Sequence, residues 1–384
     1  MTTTAATTAG DVLAAVRHLA PTISGRAPEI ERARRLPADL LRELKDAGCL
    51  RMLLPPSHGG LGVEFPDAMR VYEAVSRADA SVGWTVMIGS GSWYDFAGLP
   101  RETFDAIFTD GSDVIVGGVI GPGGSADRID GGYRVNGRWG FASGCEHCGW
   151  LFGNCFEDVG GEQRMLTVVF AASEVELEDT WKVSGLCGTG SHHFTANEVF
   201  VPAERAFPTL EAEPCLDEPL VRIPPPTLFA LAISSAALGV AHGAMDDILA
   251  LATGKIPLFA PTPLATNPLF QHQLANADTE LRAADGLVYE AADSAWAAAV
   301  GRSPFSLEMR ARIRSTAAWA TARAAAVVDF AYQAGGGSSI YAHSPLQRRL
   351  RDIHAITQHF LIRPDTLTTA GAVLAGQDID VVVF

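Results

Sequence analysis

Long apolar runs are missing from this sequence. None reaches the ~18 residues a membrane-crossing helix needs, so no such helix is expected. Basic charge is also scarce. Lys and Arg number 29 against 44 Asp and Glu, a net charge of −15, and no basic run occurs. That balance argues against a nucleic-acid surface and against binding to anionic lipid. The six cysteines are too few for a disulfide framework in 384 residues, and a reducing cytoplasm is the expected setting. Cys145-Glu146-His147-Cys148, with Cys155 nearby, has no second Cys-x-x-Cys pair, so no metal site is expected there. The opening MTTTAATTAG has neither the basic nor the apolar stretch of a signal peptide and reads as a frayed tail.

What is present is a chain with 48% hydrophobic residues, enough for a large core in two or three domains and for subunit contacts. Residues 1–112 read as an N-terminal helical domain. Leu40, Leu41 and Leu44 share a face between Pro37 and Gly48, a helical start and stop. His58-Gly59-Gly60-Leu61-Gly62 breaks the pattern, and Ala80 to Phe96 is an apolar helix carrying Trp84 and Trp93. Near Asp113 the pattern turns to strands, which define a small middle β domain over 113–210. Asn136-Gly137 inside Tyr133 to Trp139 predicts a hairpin turn. A Pro-rich, acidic linker covers 211–227. Over 228–384, four long helices are expected, the last running from Leu346 to Ile362, with Ala-rich faces suited to a four-helix bundle.

Gly121-Pro122-Gly123-Gly124-Ser125-Ala126 has the spacing of a dinucleotide fingerprint but leads toward a turn and hairpin, not a helix. A Rossmann site is therefore rejected, and a backbone-rich loop is expected instead. Any reducing electrons would then not come from NAD(P)H bound by this chain.

Three groups of residues, in this order, resemble the acyl-CoA dehydrogenase superfamily along nearly the whole chain. They are Leu36-Pro37 to Gly59-Gly60-Leu61-Gly62, Trp181 to Ser191 with Val199-Phe200-Val201-Pro202, and Ala237-Leu238-Gly239-Val240-Ala241-His242-Gly243-Ala244. The fold implied is mainly α with a central β barrel or sandwich between a helical domain and a four-helix bundle. Phe360 aligns with the catalytic Glu of many dehydrogenases, and Phe141-Ala142-Ser143 replaces their Trp-Ile-Thr. Together with Arg351-Asp352-Ile353-His354 and His359, these departures resemble the flavin-dependent monooxygenase branch, the oxygenase components of two-component systems.

That resemblance implies a homotetramer that receives reduced FMN or FAD from a separate NAD(P)H-flavin reductase, adds O2 to form a C4a-hydroperoxyflavin, and hydroxylates an aromatic, phenolic or polyketide-like small molecule. It implies His359 as a base for a phenol, with His354 as a second candidate, and Ser143 as a partner of flavin N5. Trp139, Phe141, Ala142, Ser143, Gly188, Thr189, Ser191, Gly336 and Gly337 are the implied cofactor contacts. Trp84, Trp93 and His192 are candidates for the substrate pocket, though each Trp is as readily an ordinary core aromatic. Asp352 and Arg349 are expected to pair and fix the last helix, and His359 and Asp352, seven apart, to share its face. Asn267-Pro268-Leu269-Phe270-Gln271 lacks the Arg that dehydrogenases use for the FAD diphosphate, which leaves FMN open. Two rival readings are an FAD-dependent acyl-CoA dehydrogenase, whose base would have to be a carboxylate such as Glu280 or Asp285, and a non-catalytic flavin- or ligand-binding member.

Overall fold

The computed structural model describes residues 8–108 and 114–379. Most of the expected frayed tail, residues 1–7, and the change of character at Asp113 lie outside them. Helix α1 (Ala9–Ala33) begins with a capping box, since Thr8 Oγ1 accepts from Asp11 N and the Asp11 carboxylate accepts from Thr8 N. Ala9 and Gly10 are thus helical, not tail. Helix α2 (Ala38–Asp46) buries Leu40 and Leu44, and Gly48 beyond it takes φ +81°, which glycine adopts without strain. Helices α3 (Phe65–Ala78) and α4 (Ala80–Gly91) meet at Asp79, whose carboxylate accepts from the backbone N–H of Ser81 and Val82 and so caps α4. A 3-10 turn over Ser92–Phe96 and helix α5 (Arg101–Phe108) complete this part.

The expected barrel or sandwich is one seven-stranded sheet. Its strands are β1 (Val116–Ile129), β2 (Gly132–Ala142), β3 (Trp150–Val159), β4 (Glu162–Ala171), β5 (Glu176–Glu178), β6 (His192–Pro202) and β7 (Ala206–Pro208), in the order β5-β6-β2-β1-β3-β4-β7. All neighbours run antiparallel except β1 and β3. The hairpin turn lies at Asp130-Gly131, with Gly131 at φ +79°, and not at Asn136-Gly137. Asn136 instead faces a bulge in β6, where the pairing shifts between Val135 and Gly137 and Glu198 takes φ +53°. The Asn136 side chain brackets Glu198, donating to its carboxylate at 2.6 Å and accepting from its N–H at 2.8 Å.

The sheet core is built on Trp139. Its ring stacks on Phe194 at 4.9 Å, and its Nε1 donates to the Asn154 carbonyl at 2.8 Å. A Cβ at Gly123 or Gly124 would come within 2.7 Å of this indole. The glycine-rich stretch is therefore strand β1 making room for a tryptophan, not a loop around a ligand. Among the described residues no α-helix follows it before the sheet ends.

The segment 209–224 is packed rather than free, with Leu216, Leu220 and Ile223 buried. Helices α6 (Pro225–Gly254), α7 (Pro268–Val300), α8 (Leu307–Gly335), α9 (Pro345–Ile356) and α10 (Asp365–Leu374) follow. Helix α6 is long and apolar enough to cross a membrane, but 94% of its apolar window is buried within the protein, as befits the central helix of a core. A Cβ at Gly239 would lie 2.2 Å from the Glu73 carbonyl, so that glycine sets the close approach of α3 and α6. Helix α9 ends at Ile356, six residues short of the expected end. His359 is extended (φ −68°, ψ 132°) and opens a 3-10 turn over Phe360–Ile362. His359 and Asp352 therefore share no helix face.

Candidate active site

The site begins at an irregularity in β2. Pairing with β6 slips between Trp139 and Ala142, and Phe141 in that slip takes φ +67° with its ring 72% exposed. A bulky residue in the left-handed region is strained, and such strain marks functional positions. The slip leaves Trp139 and Ala142 inside the sheet core at 1% and 0% exposure. Neither offers a surface to a cofactor, which corrects the expectation for both. Phe141 meets the edge of Trp181 at 6.0 Å and lies 6.2 Å from the His193 ring.

Two residues on, Ser143 opens a chain of hydroxyls. Its Oγ accepts from Trp84 Nε1 at 3.0 Å and lies 2.8 Å from Ser191 Oγ. Ser191 Oγ is 2.7 Å from Thr189 Oγ1, which reaches the Leu186 carbonyl at 2.8 Å. Trp84, Ser191 and Thr189 are buried, so Ser143 is the half-open end of the chain.

The loop that carries this chain is tied from both sides. Leu186, at φ +52°, donates its N–H to Asp352 Oδ1 at 2.7 Å, and Gly188 donates to Ser81 Oγ at 3.1 Å. Gly188 is held by packing, since a Cβ there would lie 2.3 Å from Ile30. Burial, and then the neighbouring Asp79, push the Asp352 carboxyl up to about 7. The expected Asp352–Arg349 pair does not form, because Arg349 turns to Asp247 and leaves Asp352 to the loop.

His359 completes the group from the bundle side. Its ring lies 5.8 Å from Trp84 and stacks on Phe360 at 4.9 Å. Its Nδ1 accepts from Leu361 N at 3.3 Å, so the neutral ring carries its proton on Nε2. Burial pushes its pKa down to about 4. Such an imidazole is a hydrogen-bond donor at neutral pH. In this tautomer Nε2 offers a proton, and Nδ1 is taken by Leu361 N.

The remaining candidates lie apart from this group. His354 is exposed on α9, 2.8 Å from Asp329. His192 is buried, accepting from Trp181 N at 3.2 Å and facing Glu146 at 3.8 Å, which makes it part of the loop interior. Trp93 is 2% exposed and packs edge-on to Phe104. Gly336 and Gly337 lie exposed beyond α8, where the Lys255 amine holds Gly335 O and Ser338 Oγ. Cys145 and Cys148 donate to the backbone carbonyls of Gly190 and Gly144. The two carboxylates of the dehydrogenase reading are also elsewhere, with Asp285 held by His242 at 3.0 Å and Glu280 by Asn276 at 3.0 Å. Trp181 and His193, for which no role is expected from the sequence, flank Phe141. Trp181 opens the Trp181 to Ser191 stretch that carries the resemblance, and His193 lies just beyond it.

These residues fit a flavin. An exposed phenyl beside an indole edge offers a flat apolar face, and a half-open hydroxyl stands two residues away for a polar ring edge. Comparison with known proteins agrees. Residues 11–95 match the acyl-CoA dehydrogenase N-terminal domain and residues 231–364 the acyl-CoA dehydrogenase C-terminal domain. An indole-3-acetate monooxygenase of Pseudomonas putida is 32% identical over 92% of this chain and 90% of its own. A flavin-dependent monooxygenase oxygenase subunit of Rhodococcus jostii, HsaA, is 30% identical over 90% of this chain and 93% of its own. The solved structure of XiaF from Streptomyces, in complex with FADH2 and glycerol, superposes with a TM-score of 0.90 at 25% identity, covering 96% of each chain. Sequence, fold and site agree that this chain belongs to the acyl-CoA dehydrogenase family, in its flavin-dependent monooxygenase branch.

Proposed function

We propose that this protein is the oxygenase component of a two-component system. It takes reduced FMN or FAD from a separate NAD(P)H-flavin reductase and uses O2 to hydroxylate an aromatic or phenolic small molecule. The observation that carries this reading is the convergence of Ser143 and His359 on Trp84, with no carboxylate base in the group. The position that aligns with the catalytic Glu of many dehydrogenases holds Phe360, which cannot take a proton, and the alternative carboxylates Asp285 and Glu280 are held by His242 and Asn276. Bound reduced flavin supplies the activation of O2. Phe141 and Trp181 would hold the flavin face, Ser143 would meet its polar edge, and the Nε2–H of His359 would meet an oxygen of the substrate.

The exposed apolar residues Ile256, Leu258 and Phe259 after α6, and Ile340 and Tyr341 after α8, support assembly into a homotetramer. Lys255 tethers the second of these loops to the first through Gly335 and Ser338. Gly336 and Gly337 lie in the same region, which supports a contact with the cofactor of a neighbouring subunit rather than with that of their own.

The test is to mix anaerobic protein with FMNH2 or FADH2, add oxygenated buffer and a panel of phenols, and measure hydroxylated product and H2O2 together. Product formed with one flavin, in excess of H2O2, is expected. Protein that holds oxidised FAD tightly, is bleached by an acyl-CoA and forms no hydroxylated product would establish the dehydrogenase reading instead.

A further inference from the structure

The hydroxyl chain has two ends of fixed polarity. Trp84 Nε1 can only donate, so Ser143 always accepts from it. The Leu186 carbonyl can only accept, and Thr189 Oγ1 lies 2.8 Å from it. Each hydroxyl has one proton and two acceptor positions. If Thr189 donates to Leu186, Ser191 donates to Thr189 and Ser143 donates to Ser191. All three protons then point inward, and Ser143 shows the cleft a lone pair. Ser143 shows the cleft its proton only if the chain gives up one of these bonds: Ser143 can turn alone and release Ser191, or the whole order can reverse, with Thr189 releasing Leu186 O to donate to Ser191 and Ser191 donating to Ser143. Leu186 O still accepts from Trp181 Nε1 at 3.0 Å and from Thr189 N at 3.1 Å, so the reversal leaves no group bare. It does make one hydrogen bond fewer.

We propose that Thr189 and Ser191 are positioning residues that hold Ser143 as an acceptor at rest, so that the site selects the redox state of its flavin. This inference rests on the flavin reading above. Reduced flavin carries a proton on N5 and is met by the resting lone pair. Oxidised flavin has a lone pair at N5 and is met only when Ser143 turns its proton outward, by either route at the loss of one bond. A typical net hydrogen bond corresponds to about fivefold in an equilibrium constant, which is the discrimination expected from the chain. Only Ser143 touches the cofactor in this scheme. The other two members, at 2% and 1% exposure, act through it.

The experiment compares dissociation constants of oxidised and reduced flavin, the latter by anaerobic fluorescence titration, for wild type, Thr189→Val, Ser191→Ala and Thr189→Ser. Valine removes the acceptor that Ser191 donates to. Ser191 then gives its proton to Ser143, which turns its own toward the cleft. Alanine at 191 frees the Ser143 proton by a separate route. Both are expected to lower the ratio of the oxidised to the reduced constant by about fivefold, and Thr189→Ser to restore it. A variant that only loosened the loop would weaken both constants and leave the ratio alone. An unchanged ratio in both Thr189→Val and Ser191→Ala, with folded protein by circular dichroism, would overturn the proposal while leaving the flavin reading intact. Wild type that binds neither redox form would overturn both.

Discussion

The imidazole of His359 lies 5.8 Å from the indole of Trp84, and that indole donates its one N–H to Ser143. The two residues reach each other from opposite ends of the chain, one on a helix of the first segment and one beyond a helix of the last. Trp84 therefore bridges the hydroxyl, through its N–H, and the imidazole, through its ring, the two polar groups proposed to serve the reaction.

Trp84→Phe keeps an aromatic body beside His359 and deletes the N–H. Ser143 then loses the donor that orients it. The fold should hold, with a stability loss of ~1 kcal/mol, about that of one hydrogen bond. Coupling should suffer more, with the share of O2 released as H2O2 rising several-fold. Product and peroxide measured in the same assay check this, and unchanged coupling would show that Trp84 does not orient the hydroxyl during the reaction.

His359 should contribute no ionisation near pH 6.5 to the pH profile of kcat/KM, because burial pushes its pKa down to about 4. It should contribute to stability instead. Between about pH 4 and ~6.5 the unfolded chain holds one more proton at this residue than the folded one. Stability from this group is complete above ~6.5 and is lost as pH falls toward 4. In His359→Gln that slope should disappear from melting curves collected across pH 4.5–7, while some activity survives through the amide N–H.

Asp352 has the opposite slope. Its carboxyl is pushed up to about 7, so from ~3.9 to 7 the folded chain holds the extra proton and stability falls as pH rises. The limit is ~1.4 kcal/mol per pH unit for one such group. In wild type the two slopes offset each other between pH 4 and 6.5, and each single variant should expose the other. Asp352→Asn keeps an acceptor for Leu186 N and removes the charge. It should melt no lower than wild type at pH 8, and a lower melting temperature there would show that the ionised carboxylate holds the loop better than a neutral acceptor.

Phe141→Asn tests whether strain is held for function. Asparagine tolerates positive φ, and relief of a left-handed non-glycine residue is worth about 1 kcal/mol. Thermal stability should therefore hold or rise despite the loss of an aromatic ring. Flavin affinity should fall by about tenfold with the loss of that ring, in the range of other aromatic contacts. Stability that drops together with affinity would show that the exposed ring packs on the protein rather than on the cofactor.

The order of helices, strands and helices was legible because burial leaves a period in the sequence, as at Leu40 and Leu44 on α2. Local punctuation was less reliable. Asn136-Gly137 has the chemistry of a turn, and the fold uses it opposite a bulge, because register with β6 is set by residues sixty positions away. The end of α9 left no trace, since Thr357 to Ile362 contains neither Gly nor Pro and continues the apolar pattern. Ser143, Thr189, Ser191 and His359 could be picked out by resemblance, but what each one does depends on hydrogen-bond direction. The Trp84–Ser143 bond spans 59 positions, and the His359 cap fixes a tautomer, which no residue pattern encodes. Trp139 and His192 sit in the interior for the opposite reason: a large or polar side chain suits a core as well as a site when its polar atoms are satisfied there.

His359 hangs from a short extended joint after α9 rather than from the helix itself. Helix α9 packs against α6 and α8 through Leu346, Ile353 and Ile356, and none of that packing depends on where the imidazole points. Exchanges confined to residues 357–360 can therefore reposition the imidazole while α9 stays put, and leave Ser143 and its hydroxyl chain as they are.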